Sequence, residues 1–175
     1  IGRIGQGLSF DGVNDYVDVG APSVLQFTNT QPYTLSVWVR PNTALPRSIL
    51  AYALNGSRGW YINFDSDNII SDYYDGTLFR RVSSSANSVP LNTWTHIVVT
   101  HDGSNTANGM FAYINGVSDS IRTAGTPASI NYSTLNFRIG ARATASLFPG
   151  SIDDVRIYNR ALSAAEGRRL YNGGR

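Results

Sequence analysis

The sequence predicts an all-β domain that ends in one short helix. The chain has 175 residues, with seventeen glycines and ten tyrosines, and its apolar residues recur in short alternating runs separated by Gly, Asn and Asp. Helical periodicity is almost absent before Ser163, as is typical of antiparallel sheets with many turns. A chain of this length buries close to ~70% of its unfolded surface, so we expect one domain over residues 1–175 without disulfides.

Two short strands, residues 7–10 and 16–19, open the chain on either side of an oxygen-rich turn. That turn carries Asp11, Asn14 and Asp15, residue types that favour turns and hydrogen bonds from side chain to backbone.

Most of the chain beyond this turn predicts further strands. The predicted strands are residues 33–40, 49–54, 60–64, 68–74, 78–83, 94–100, 110–114, 117–122 and 135–139. The four runs between 49 and 83 are separated by short turns and predict an antiparallel meander. Residues 94–100 are apolar on both faces, which indicates a central strand, and Asn115-Gly116 predicts a tight hairpin.

The chain closes with a strand, a turn and a helix. From Ser151 onward, alternation places Asp153 on the same face as Val155 and Ile157. A carboxylate on a packed face is costly unless a donor, a cation or a metal meets it. Three residues separate Ser163 from Glu166, which is the spacing of a capping box and predicts a helix over residues 163–171.

Five motifs resemble the LamG-like jelly-roll family of the concanavalin A-like lectin/glucanase superfamily. They are LSFDGVNDYVDV, YTLSVWVRP, LNTWTHIVVTHDG, MFAYING and GSIDDVRIYNRALSAAEGRRLY. They stand in the family's order, and the resemblance covers nearly the whole chain. It implies a two-sheet antiparallel jelly-roll sandwich with one short C-terminal helix, excised from a larger extracellular or cell-surface protein. This superfold hosts lectins, adhesion modules and glycosidases, so the fold alone does not decide the function.

The charge pattern argues against a nucleic-acid partner. The net charge is +2, all the basic residues are arginines, and they are scattered with only two adjacent pairs, Arg80-Arg81 and Arg168-Arg169. A nucleic-acid surface needs a concentrated basic stripe. No apolar run approaches the ~18 residues of a membrane-spanning helix, so we expect no membrane span either.

The first candidate site is a structural calcium ion bound by Asp11, Asp15, Asp153 and Asp154. The resemblance implies that the terminal strands meet at one end of the sandwich, and Ca²⁺ takes six to eight oxygen ligands in irregular geometry. Zinc would need a cluster of His or Cys. In the alternative interpretation, Asp11 and Asp15 only stabilise turns, and Asp153 accepts backbone N–H bonds or an arginine.

The second candidate is a carbohydrate site on the meander. Because Trp60, Ile62 and Phe64 form one apolar face, alternation sends the residues between them outward. Sugars stack on aromatic rings, while amides, carboxylates and guanidinium groups bind their hydroxyls. The predicted ligand-binding residues are Tyr61, Asn63, Asp72, Tyr74 and Arg81. The alternatives are that these rings are ordinary surface residues, or that rim loops bind the ligand.

Catalysis has the weakest support in the sequence. The resemblance implies that a glucanase of this superfold carries two glutamates around an aspartate on one strand, whereas this chain has Glu166 alone. His96 and His101 are five positions apart and so predict opposite strand faces. We therefore expect a non-catalytic carbohydrate-binding or adhesion module that binds a polysaccharide or glycan. The alternatives are a glycoside hydrolase or polysaccharide lyase, and a protein–protein adhesion domain.

Overall fold

A computed structural model of the chain describes residues 1–54, 58–123, 125–143 and 146–174. In chain order its strands are β1 (Leu8–Asp11), β2 (Val17–Gly20), β3 (Tyr33–Pro41), β4 (Arg47–Ala53), β5 (Gly59–Asp65), β6 (Asn68–Tyr74), β7 (Phe79–Ser83), β8 (Thr95–His101), β9 (Met110–Ile114), β10 (Val117–Ser118), β11 (Ile121–Thr123), β12 (Phe137–Ile139) and β13 (Pro149–Tyr158), followed by helix α1 (Ala164–Gly173). Two three-residue 3₁₀ turns, Ser23–Leu25 and Ala107–Gly109, complete the helical structure of the described residues.

The strands form two antiparallel sheets, as predicted. One sheet has six strands in the order β1-β13-β3-β8-β9-β10, and the other has seven in the order β11-β7-β6-β5-β4-β12-β2. Strands β4 to β7 are consecutive neighbours, which confirms the meander, and β8 lies inside its sheet. Strand β1 pairs with β13, so the first and last strands are adjacent.

The core lies between the sheets and is built from alternate residues of their strands. Trp60, Ile62 and Phe64 of β5 are fully buried in it, which confirms the predicted alternation. Phe27 stacks on Tyr33 within the same core, with 4.5 Å between the ring centroids. Each large apolar side chain buried in this way contributes ~1.5–3 kcal/mol to the stability of the fold.

Helix α1 packs on the outer face of the six-stranded sheet. Its capping box is formed as predicted: the Ser163 hydroxyl accepts from the backbone N–H of Glu166, and the Glu166 carboxylate accepts from the backbone N–H of Ser163. Tyr171 stacks on Trp38, with ring centroids 5.7 Å apart, so Trp38 is buried beneath the helix rather than between the sheets. No helix in the described part of the chain has the length and apolar character of a membrane span.

The predicted strand over residues 117–122 is wrong in one respect, because it divides between the two sheets. Strand β10 pairs with β9 and strand β11 pairs with β7. At the break, Asp119 N–H donates to the carbonyl of Ala112, and the Ser120 hydroxyl both accepts from and donates to the backbone of Ala112. These hydrogen bonds stabilise the bend at which the chain passes from the six-stranded sheet to the seven-stranded sheet.

The predicted facing of Asp153 is also wrong. The register of β13 against β3 shifts between Asp153 and Arg156, and Asp154 has φ 47°, so the strand contains a bulge. Because a bulge adds one residue, Ile152 and Val155 both pack on the core. Asp153, next to Ile152, therefore lies on the opposite face rather than with Val155.

Candidate functional site

A cleft lies on the outer face of the seven-stranded sheet, above the meander. Its volume is ≈ 350 Å³, and its lining residues are Tyr61, Asp72, Tyr74, Thr77, Phe79, Arg81 and Arg142. All but one of these residues come from β5 to β7 and the turn after β6, and the exception follows β12. The cleft thus brings together four of the five residues predicted to bind a ligand: Tyr61, Asp72, Tyr74 and Arg81.

The turn after β6 sets the register between β6 and β7, the two strands that form most of the cleft wall. The Asp75 carboxylate accepts from the backbone N–H groups of Thr77 (2.7 Å) and Leu78 (2.8 Å), as acidic residues at turns commonly do. The resulting register places Tyr74 opposite Phe79 and Asp72 opposite Arg81. Two neighbouring cross-strand pairs therefore supply most of the cleft wall.

Seven residues, one from each strand, form a line across the outer face of this sheet, which we call the transverse row. Its members in strand order are Thr123, Arg81, Asp72, Tyr61, Ala51, Arg138 and Asp18. Tyr61 and Ala51 separate two ion pairs, Arg81 with Asp72 and Arg138 with Asp18. The cleft lies over the first of these pairs.

The Asp72 carboxylate is the centre of a hydrogen-bond network in the cleft. Its Oδ1 accepts from Arg81 Nε (2.6 Å), and its Oδ2 accepts from Arg81 Nη2 (2.7 Å) and from the Tyr61 hydroxyl (2.6 Å). Burial together with the Asp72 charge raises the pKa of Tyr61, and the hydrogen bonds to Asp72 raise the pKa of Arg81. The side chain of Asp72 is 1% exposed and that of Arg81 is 33% exposed. Arg81 is therefore the charged member of the pair that a ligand can reach.

Tyr61 does not offer a free ring to a sugar, contrary to the sequence-based expectation. It is 8% exposed and packs against Ala51 and Ala53 on the outer face of the sheet. The guanidinium carbon of Arg142 lies 4.6 Å from the centre of its ring. Two small alanines on β4 leave room for this arrangement, in which the Tyr61 hydroxyl holds the Asp72 carboxylate.

The rings that remain partly exposed in the cleft are Tyr74 and Phe79. Arg81 lies over the Phe79 ring, with 4.7 Å between its guanidinium carbon and the ring centre. The Tyr74 hydroxyl donates to the carbonyl of Gly76 (2.8 Å). These contacts orient both rings, so the cleft combines apolar ring surface with a fixed guanidinium group.

Asn63 lies outside the cleft. It pairs with Ile70, one outward position further along the strand than Tyr61 and thus about 7 Å away. Its side-chain oxygen accepts from the Ser48 hydroxyl (2.6 Å).

Sequence reasoning missed three lining residues: Thr77, Phe79 and Arg142. The register of the turn at Asp75 could have indicated Phe79 as the partner of Tyr74 and Thr77 as a residue of the turn. No local pattern indicates Arg142, which reaches the cleft from a segment distant in sequence.

The four predicted calcium ligands have partners within the protein. Asp11 accepts from the N–H groups of Val13 and Asn14, and Asp15 accepts from the N–H of Asp11. The Asp153 carboxylate accepts from the N–H groups of Ile4 and Asp154. The Asp154 carboxylate accepts from Arg156. These contacts match the alternative interpretation, in which the aspartates stabilise turns and backbone.

The same aspartates do not fit one shared calcium ion. Asp11 pairs with Pro149, four residues before Asp153, which corresponds to ~13 Å along the strand. Residues 1–54, 58–123, 125–143 and 146–174 contain no group of three or more His, Cys, Asp or Glu side chains that could hold a metal ion.

The histidines and Glu166 occupy structural positions away from the cleft. His96 is buried next to Trp38, and its Nε2 is 3.0 Å from the Ser36 hydroxyl. His101 packs on the opposite face against the core residue Tyr33. Burial lowers the pKa of both, that of His96 to about 4. Hydrogen bonds from Arg160 and Ser163 lower the pKa of Glu166 to about 2.

Comparisons with solved structures find the same fold in binding domains. The binding domain of Paraclostridial Mosquitocidal Protein 1 matches with TM-score 0.77 and 20% identity, over 98% of this chain and 44% of that one. The CBM40 of Ruminococcus gnavus IT-sialidase, bound to α2,3 sialyllactose, matches with TM-score 0.75 and 14% identity, over 95% and 96%. Domain 4 of AbnA, a GH43 extracellular arabinanase from Geobacillus stearothermophilus, in complex with arabinotriose, matches with TM-score 0.63 and 24% identity, over 97% and 78%.

The amino-acid sequence also identifies the family of this chain. A model of the concanavalin A-like lectin/glucanases superfamily, Laminin_G_3, matches residues 11–166. The chain belongs to this superfamily, which confirms the resemblance identified from its motifs. A comparison with curated protein sequences gives no match. The chain spans less than half the length of the mosquitocidal binding domain that it resembles.

Proposed function

We propose that this chain is a non-catalytic carbohydrate-binding module whose ligand occupies the outer-face cleft. The observation that carries the proposal is the combination in one cleft of two partly exposed rings, Tyr74 and Phe79, with a guanidinium group that Asp72 holds in place. Rings bind the C–H faces of sugars, and fixed N–H donors bind their oxygens. Because these groups are already ordered, binding loses little side-chain entropy.

The related structures support this proposal. The CBM40 is described as bound to α2,3 sialyllactose, and the arabinanase domain as in complex with arabinotriose. The likeness to them lies in the fold, and the cleft supplies the chemistry specific to this chain. We include in the proposal an extracellular location, by analogy with the extracellular arabinanase.

The chemistry of the cleft favours binding over hydrolysis or elimination. A glycoside hydrolase uses two carboxyl groups, either about 5–5.5 Å or about 6.5–9.5 Å apart, whereas Asp72 is the one carboxylate among the described residues that line the cleft. A lyase needs a group that removes a proton from the sugar. The Tyr61 hydroxyl already donates to Asp72 and its pKa is raised, so it is a poor base.

A glycan array and a reducing-sugar assay on the same preparation test the proposal. We expect retention of at least one glycan and no released sugar. Tyr74→Ala should weaken binding by ~1 kcal/mol, about fivefold in Kd, through the lost ring contact. Tyr16→Ala is the matched control, because Tyr16 is 39% exposed and its ring contacts Arg138 of the transverse row, outside the cleft.

Two results would contradict the proposal. Release of sugar that Asp72→Asn abolishes would make the protein an enzyme. Absence of binding to any glycan would leave a protein partner as the explanation of the cleft.

A further inference from the structure

Resting on the proposed function, we infer that the saccharide bound in the cleft carries an anionic group, a carboxylate or a sulfate, which Arg81 and Arg142 bind. The two arginines face one carboxylate, Asp72, among the described residues that line the cleft. With no ligand bound, the cleft therefore has a formal charge of +1 from these lining side chains. A ligand with one negative charge would neutralise it.

The hydrogen-bond inventory of the cleft points to the same ligand class. An arginine has five N–H donors and no acceptor. Asp72 engages two of the donors of Arg81, so the remaining N–H groups of this partly exposed side chain can bind a ligand. Thr77 adds an exposed hydroxyl.

Strong acceptors in the cleft are already occupied. Asp72 accepts three hydrogen bonds across its two oxygens. The hydroxyl hydrogens of Tyr61 and Tyr74 are directed to Asp72 and to the Gly76 carbonyl. A neutral sugar presents hydroxyl groups that require acceptors as well as donors, whereas a carboxylate or sulfate requires donors alone. The cleft therefore matches an anion better than a neutral sugar.

The geometry of Arg142 suits this role. Its guanidinium carbon lies over the Tyr61 ring at 4.6 Å, and such a contact orients the guanidinium plane. Guanidinium groups bind carboxylates and sulfates through paired N–H donors in that plane. Tyr61 thus links the two arginines of the cleft. Its ring faces Arg142, and its hydroxyl donates to the Asp72 carboxylate, which in turn holds Arg81.

Matched polysaccharide pairs test the inference by affinity electrophoresis or calorimetry. Polygalacturonate and its fully methyl-esterified form share one backbone and differ in whether each carboxyl group is a charged carboxylate or a neutral methyl ester. Dextran sulfate and dextran differ only in sulfate. We expect binding to at least one anionic member that is about tenfold or more tighter than to its neutral partner, as for hydrogen bonds to charged groups. The pair that discriminates identifies the anion.

Two variants assign the preference to the cleft. Arg142→Gln should reduce the affinity for the anionic member about tenfold, whereas Arg169→Gln, which removes the same charge from an exposed position on α1, should leave it unchanged. Arg81→Lys keeps the cation next to Asp72 but loses the forked donors, so it should weaken anion binding while the protein stays folded. Circular dichroism checks the fold of each variant.

The outcomes separate this inference from the proposed function. Equal binding of the charged and neutral members of both pairs would overturn the anionic ligand and keep the carbohydrate-binding module. Equal losses in Arg142→Gln and Arg169→Gln would assign the preference to general charge and overturn the role of the cleft. Binding to no member of either pair, and to no glycan on the array, would overturn both.

Discussion

Arg81 donates two hydrogen bonds to Asp72 across neighbouring strands, with Nε to Oδ1 at 2.6 Å and Nη2 to Oδ2 at 2.7 Å. The carboxylate is almost wholly buried and the guanidinium is partly exposed. One side of the pair therefore belongs to the folded sheet and the other to the ligand-accessible surface. Under the proposed function, stability and ligand binding therefore depend on the same two residues.

Replacing Arg81 should destabilise the fold because it leaves a buried carboxylate without its cation. We expect Arg81→Gln to lower the free energy of unfolding by ~2 kcal/mol, below the value for a fully buried pair because Arg81 is partly exposed. Urea denaturation measures the change. The control is Arg138→Gln, which breaks the other ion pair of the transverse row. Its carboxylate, Asp18, is 34% exposed rather than buried, so this change should cost less than ~1 kcal/mol. Equal costs would show that the burial of Asp72 does not matter.

Tyr61 should be a stability residue rather than a sugar-stacking residue. Tyr61→Ala removes a buried ring and should cost ~3 kcal/mol of unfolding free energy. Tyr61→Phe removes only the hydrogen bond to Asp72 and should cost ~1 kcal/mol. Thermal and urea unfolding of the two variants test this order. An alanine variant that loses sugar affinity at an unchanged melting temperature would instead restore the stacking role expected from the sequence.

Acid should destabilise the protein through its buried histidines. Burial lowers the pKa of His96 from 6.5 to about 4, so between these pH values the unfolded state binds the proton and the folded state does not. The stabilising contribution of neutral His96 is complete above about pH 6.5 and falls by ~3 kcal/mol as the pH drops toward 4. Burial lowers the pKa of His101 in the same direction.

Urea unfolding at several pH values measures this dependence. The variant His96→Gln removes one titrating group, and the difference between it and the parent cancels the contribution of the carboxylates. A parallel dependence in both proteins would show that His96 is not the group responsible.

Calcium should have little effect on the fold. Because Asp11, Asp15 and Asp153 accept backbone hydrogen bonds and do not share one site, we expect the melting temperature to be the same in excess calcium and in chelator. A bound ion would add about 2.7 kcal/mol at a hundredfold excess over its Kd. A clear rise in melting temperature with calcium would support the site predicted from the sequence.

The alternation of apolar and polar residues along the strands predicts which side chains line the candidate cleft. On β5 it correctly sends Trp60, Ile62 and Phe64 into the core, and on β6 and β7 it groups Asp72, Tyr74 and Arg81 on the other face. It could not show that the outer face would itself bury Tyr61, because that depends on the small residues of the neighbouring strand and on Arg142.

The errors arose where the chain departs from regular geometry. The bulge at Asp154 reverses the facing of Asp153, and no residue type in that stretch requires it. The bend at Asp119 and Ser120 moves the chain between sheets, although each side of it has the pattern of a strand. Cross-strand register decided which outward residues meet, and it left Asn63 one position away from the cleft.

The alternation within β5 to β7 separates two kinds of constraint along the same strands. Trp60, Ile62 and Val82 face the core. Tyr74 and Phe79 line the cleft and are not part of the core. Exchanging these outward rings would leave the core packing untouched. Under the proposed function, substitutions at positions 74, 77 and 79 would therefore change ligand specificity without disturbing the fold. Replacing Tyr61 or Asp72 would instead compromise the sheet that supports the cleft.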